Sequence, residues 1–411
     1  VTGAIGFFTW LLRDATWMNA ARMRGWSVLL TITLAIWAGG MVTAQVMGAA
    51  WGSVGADFPC FYAAGVLARG GHAASVYSPA IMAQTEHAIR TMKAGAYLPF
   101  FYPPPVLLLC WTWSLLPYWI AFVVFVALGL VPLLAAYRRM LPACTSLLIF
   151  VAYPGIWITV LAGQNGLISA ACLAWFMLLA DRRPATGGLC LAVLACKPQL
   201  AICVPFALVA SGRWRSLFAA ICGFGILSLL SVAAFGFAPW LAFLHGSANA
   251  MSAITGGMIA EARIQSAFIA ARLLGANLWT AGLIQGGFAI AVLFVLASLA
   301  ATRPTGAALG ATLAVSALAV TPYVMDYDLV CLSPALAYIV MQGQSSGWPP
   351  YGRAIVLVAF LLPVASSLIA LRSGVQIAPV VIACSLALVL RITDLAKRLG
   401  EMSHLSQTRR L

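Results

Sequence analysis

Long apolar runs separated by short polar turns set the pattern of this chain. A helix crossing hydrocarbon needs roughly 20 apolar residues, and on that measure the runs predict about twelve membrane segments. The first covers residues 26–48. A long mixed stretch, 49–101, follows, in which 78–92 reads as an amphipathic helix through Ile81, Met82 and Ile89. Pro103-Pro104-Pro105 then breaks the backbone and opens a short oblique helix leading into a second span at 117–137. Further spans are predicted at 144–161 and 167–180. A pair of short helices within 187–211 carries Lys197-Pro198-Gln199 at its turn, and spans at 217–235, 278–300 and up to residues 320, 341, 371 and 390 complete the bundle. The fold class is therefore an all-α polytopic membrane bundle, organised as a single integral membrane domain over 1–411.

The basic residues orient it. Arg13, Arg22 and Arg24 precede the first span, and Arg138-Arg139, Arg182-Arg183, Arg213, Arg215, Arg303 and Arg353 occupy alternate turns. Placing these inside assigns sixteen of the 23 lysines and arginines to the cytoplasm and seven to the outer face, while the nine acids split four and five. Both termini are then cytoplasmic, with an interfacial helix at 1–25 and a basic tail at 391–411. The loops 49–101 and 236–277 lie outside.

Composition agrees. With 63% hydrophobic and 8% charged residues and a mean hydropathy of +1.00, the chain cannot cover a soluble globule with polar surface. A net charge of +14 would suggest nucleic acid in a soluble protein. Here the charges sit between apolar runs and read as topology signals, so no nucleic-acid partner is expected. Among the ten cysteines, Cys172, Cys190, Cys196 and Cys203 fall in apolar runs as small packers, with no disulfide framework or zinc spacing. His72, His87 and His245 lack metal-ligand spacing, and neither metal nor cofactor is expected.

A few polar groups then stand out. Asp57 lies about ten residues past the first apolar run, where a carboxylate just outside the hydrocarbon can accept a proton from a hydroxyl; with Pro59 behind it, the same residue also fits as a helix cap. Lys197 sits in an apolar run, where it costs about 2.5–3.5 kcal/mol unless it snorkels or meets an anion such as a lipid headgroup. Arg263 can pair with Glu261 or offer its planar fork to a phosphate. Gln164-Asn165 lies between glycines, as an ordinary turn or a set of hydrogen-bonding groups for a sugar. Asp326 and Asp328 follow Pro322; they can hold a divalent cation or hydroxyls, or act as a cap with a solvated neighbour. The topology brings all of these to one face of the membrane.

The order of these motifs resembles the polyprenyl-phosphate-mannose-dependent glycosyltransferases of family 87, in the glycosyltransferase-C superfamily. The likeness runs from about Trp17 to Met341. It rests on 17–24, Asp57-Phe58 with Phe61, Ala64-Gly65, Gly71 and Tyr77, Phe101-Tyr102-Pro103-Pro104, Gly163-Gln164-Asn165, Lys197-Pro198-Gln199, Gln265-Ser266 with Arg272-Leu273-Leu274-Gly275, and Thr321-Pro322 with Tyr327-Asp328-Leu329. The resemblance implies a polyprenyl-phosphate sugar as donor, a lipid or envelope glycan as acceptor, and inverting transfer on the periplasmic face of a bacterial inner membrane. It implies Asp57 as general base and Lys197 with Arg263 at the departing phosphate. Gln164, Asn165, Tyr323, Asp326, Tyr327 and Asp328 would then hold sugar or acceptor. The similar mycobacterial phosphatidylinositol-mannoside mannosyltransferases carry histidine after the Ser/Thr-Pro pair, where this chain has Tyr327-Asp328, so acceptor identity does not carry over.

A transporter or flippase of a lipid-linked sugar is the alternative from another class. It would place ionisable groups near the midplane and show paired halves, whereas here they gather on one side without a repeat.

Overall fold

The computed structural model describes residues 9–48, 54–90, 97–141, 145–247 and 260–408. Residues 1–8 of the expected interfacial helix, 91–92 of the expected amphipathic run, parts of both long loops and the end of the tail lie outside these. The described secondary structure is helical, and the chain is an all-α membrane bundle. Among the described residues, six helices are long and apolar enough to cross a membrane alone: α1 (Ala20–Val46), α5 (Tyr118–Met140), α10 (Trp214–Phe235), α13 (Leu278–Ala301), α16 (Gly352–Ser373) and α17 (Ala378–Thr408). Between α1 and α5 lie α2 (Phe58–Arg69), α3 (Pro79–Ile89) and α4 (Pro105–Trp113), and between α10 and α13 lie α11 (Ala238–Ser247) and α12 (Ala267–Leu273).

The other six expected segments are shorter or broken. They comprise a turn at Leu148–Val151 with α6 (Pro154–Ala162), then α7 (Gly166–Leu179), α8 (Pro184–Leu194), a turn at Pro198–Ala201 with α9 (Val204–Ala210), α14 (Gly306–Val320), and a 3₁₀ turn at Asp326–Leu332 with α15 (Ser333–Ser346). Prolines set these breaks, since Pro154 and Pro198 each stand in the first turn of a new helix. The N-terminal reading changes in its bounds. Thr9–Asp14 form a single π-helical turn, and α1 already begins at Ala20, capped by the Asn19 side chain on Arg22 N–H.

The bundle is apolar inside and out, as lipid requires. Leu29, Ile36, Phe218, Leu229, Leu283 and Phe294 on α1, α10 and α13 point outward, whereas α14, rich in alanine and glycine, is buried along nearly its whole length. A central helix wrapped by protein on all sides need not match the bilayer's full thickness, which explains its 15 residues.

The two ends differ in chemistry. At one, Arg213 pairs with Asp181 and donates to Pro304 O, Asp181 accepts from Gly306 N–H, and Arg353 donates to Asp14 O. At the other end, the first long loop folds onto α4 and α5. Phe58 packs among Tyr62, Trp113, Tyr118, Phe122 and Phe125 with ring centroids 5.2–6.5 Å away. Gly65 lets α2 touch α4, since a Cβ there would stand 2.0 Å from Cys110 O.

Candidate functional site

The site begins with two chain reversals that meet. Gly163 ends α6 in the left-handed conformation at φ +71°, and Gly55, at φ +63°, turns the chain into α2. Gly55 N–H and Asp57 N–H bond Leu161 O and Ala162 O, each at 2.7 Å. The reversals press so closely that a Cβ on Gly163 would lie 2.8 Å from Gly55 Cα. Arg90 closes the arrangement, donating to Val54 O and Gly55 O, and to Gln45 Oε1 at the end of α1.

Asp57 holds the N-cap position of α2, yet its side chain makes no capping bond. Its Oδ2 instead accepts from Gln164 Nε2 at 2.9 Å, and Gln164 Oε1 accepts from Tyr102 O–H at 3.0 Å. The surrounding protein lifts the Asp57 carboxyl above its ordinary range; the Gln164 bond and the charges of Arg263 and Lys197 offset part of that rise. A largely buried carboxylate with a raised pKa, lining a cavity and oriented by an amide, is equipped to take a proton.

Lys197 does not snorkel. Only 3% of it is exposed, and it forms an ion pair with Asp328, itself 1% exposed, and donates to Asn165 Oδ1 at 3.0 Å. Its ammonium also stands 5.5 Å from the Tyr327 ring. Arg263 pairs with Asp326 rather than Glu261, through a two-pronged contact of 2.8 and 2.9 Å. A single antiparallel bridge between Ile264 and Met325, with Gln265 N–H on Val324 O, brings these two distant stretches together. Of the expected cap with a solvated neighbour, the cap is present, since Asp328 Oδ2 accepts from Met325 N–H at 3.1 Å, but neither acid is solvated: both are buried and each neutralises a different cation. Two residues apart on a 3₁₀ turn, they diverge by geometry.

Asp57, Gln164, Lys197, Arg263, Tyr323, Tyr327 and Asp328 line one cavity of about 210 Å³. Asn165 and Asp326 hold its walls from behind, through Lys197 and Arg263. Tyr102, Gln199 and Cys60 line it as well. Tyr102 and Gln199 stood within noted motifs, but nothing marked either as a site residue; the triple proline after Tyr102 was the only positional hint. A second, smaller cleft of about 40 Å³ also reaches Lys197 and Asn165, between α4, α5, α7 and α8, and its walls are mostly apolar: Phe61, Val106, Leu109, Trp113, Phe125 and Val193 among them. Among the described residues no cluster of histidine, cysteine and carboxylate side chains is suited to hold a metal.

Comparison with known protein families matches residues 100–322 to glycosyltransferase family 87, over more than half of the chain. The chain belongs to glycosyltransferase family 87. It is therefore a membrane glycosyltransferase, which uses a sugar donor and an acceptor. Searches of curated proteins and of solved structures each returned no significant match. Within the family 87 match lie Tyr102, Gln164, Asn165, Lys197 and Arg263, while Asp57 precedes it and Tyr323, Asp326 and Asp328 follow it. Their place beside the matched residues rests on the geometry.

Proposed function

We propose that this protein is an inverting mannosyltransferase that moves its sugar from a polyprenyl-phosphate carrier to a lipid or envelope glycan acceptor. The observation that carries the reading is the position of Lys197. It lines both the cavity holding Asp57 and the mostly apolar cleft between α4, α5, α7 and α8. A phosphate with a sugar on one side and an isoprenoid on the other has that division of polarity.

In this reading the acceptor hydroxyl gives its proton to Asp57 as its oxygen bonds to the anomeric carbon. The bond from that carbon to the phosphate oxygen breaks on the opposite side, and the polyprenyl phosphate leaves with the electron pair. Its charge grows as it departs, so cations there stabilise the transition state more than the ground state. Lys197 and Arg263 supply them without leaving their carboxylates. Lysine has three N–H donors, of which Asn165 and Asp328 engage two, and arginine has five, of which Asp326 engages two. Gln164 and Tyr102 orient the base, and Tyr323 and Tyr327 face the sugar. The basic turns at the far end of the bundle support cytoplasmic termini and a periplasmic site in a bacterial inner membrane.

The test is transfer by the purified protein from a panel of polyprenyl-phosphate sugars to an envelope lipid extract, with products identified by mass. The reading expects one added hexose from the mannose donor, and no transfer from the same sugar on a short water-soluble phosphate at equal concentration. Equal transfer from a nucleotide sugar would overturn it.

A further inference from the structure

At the basic end of the bundle lies a cavity of about 280 Å³ that takes no part in the site above. It opens between α1, the turn before α6, α15 and α16, and its lining is mostly apolar, through Met23, Ile149, Phe150, Leu336, Val340 and Phe360, with Asn19, Thr145, Ser146 and Gln344 beside them. Arg24 and Arg353 line the same cavity. Arg24 donates to Ala20 O at 3.3 Å; Arg353 donates to Asp14 O at 2.8 Å and lies over the Trp348 ring at 5.6 Å. Among the described residues neither has a carboxylate partner, in contrast to Arg213 and Arg263. The 27 residues of α1 span about 40 Å at helical rise, and its far end, at Gln45, holds the loop bearing Asp57. The cavity therefore lies at the opposite end of α1 from the reaction.

We infer that this cavity binds one anionic phospholipid, its phosphate against Arg24 and Arg353 and an acyl chain in the apolar slot. Charge and shape both select that ligand. Two guanidinium groups that form no ion pair among the described residues, beside hydrocarbon-lined space, match a phosphodiester joined to a chain. A zwitterionic headgroup would also bring an ammonium group, and no carboxylate is among the described residues that line the cavity. The lipid would complete the packing of α1, which is exposed along most of its length.

Native mass spectrometry tests this on the full chain, purified in detergent and offered phosphatidylglycerol or phosphatidylcholine of matched chains. The expected result is one retained phosphatidylglycerol per protein, with a higher melting temperature than with phosphatidylcholine, and no shift from inorganic phosphate alone. Arg24→Gln combined with Arg353→Gln should lower that retention more than tenfold. Val340→Trp should fill the slot and also displace the lipid, although both arginines remain. Both arginines lie at the protein's surface or partly exposed, so that double variant decides alone should Val340→Trp fail to fold. Equal retention of the two lipids by the wild type, or undiminished phosphatidylglycerol retention in the double arginine variant, would overturn the assignment.

Discussion

Lys197 and Asp328 hold opposite charges where almost no water reaches, so neither tolerates loss of the other. Replacing Lys197 with methionine strands the carboxylate and should cost roughly 3–5 kcal/mol of stability. Pairing that change with Asp328→Leu removes both charges and should restore most of the loss, while sugar transfer stays abolished. Thermal unfolding in detergent, read beside a transfer assay, separates the two roles of the pair, because a purely structural ion pair would regain activity with stability. Glu86 sets a different problem. It is fully buried in α3, with Oε2 accepting from Leu98 N–H at 2.8 Å and Oε1 lacking a partner among the described residues. Burial pushes its carboxyl up from about 4.5 to about 7, and the Leu98 bond offsets part of that rise. The folded state holds this proton more tightly than the unfolded chain, so stability falls as pH rises from about 4.5 through about 7 and levels off above. Glu86→Gln should therefore raise the melting temperature at pH 8 relative to wild type and change it little at pH 5.

At the scale of elements, the site depends on how α6 ends and α2 begins. Gly163→Ala forces a left-handed backbone on a residue with a Cβ, at roughly 1–3 kcal/mol, and drives that Cβ against Gly55. Gly275→Ala is the control, since its φ of +92° carries comparable strain but its Cβ would meet nothing within 4 Å. Both should lower the melting temperature; only Gly163→Ala should also reduce transfer by more than tenfold, by parting Asp57 from Gln164. The helices themselves were readable from the chain because length, apolarity and proline position are local properties. Pro105 opens α4 and Pro198 a new turn where the pattern called for them. The pairing of Arg263 with Asp326 was not readable. It follows from the Ile264–Met325 bridge, which joins positions some sixty residues apart, whereas Glu261 stood two residues away and looked the simpler partner.

Across the whole molecule, membrane character and the polar groups worth watching were legible, because a carboxylate or lysine in so apolar a chain has few innocent explanations. Which of them share a cavity was not, since that is a property of tertiary packing. Tyr102 illustrates the gap: one aromatic among many, just past the first loop, it proves to touch both Gln164 and Asn165. The bundle thus presents two unlike ends, one tied by arginines and one enclosing a carboxylate, an amide and two neutralised cations. The central claim is that the Asp57 carboxylate is the base at that second end. The direct measurement is the pH profile of kcat/KM for sugar transfer by wild type and by Asp57→Asn. The account predicts a wild-type rate that climbs with pH through a pKa above the usual carboxylate range, and an Asn variant slowed about 10²–10⁴-fold with that limb gone. An Asn variant that keeps its rate within tenfold and retains the same limb would contradict it.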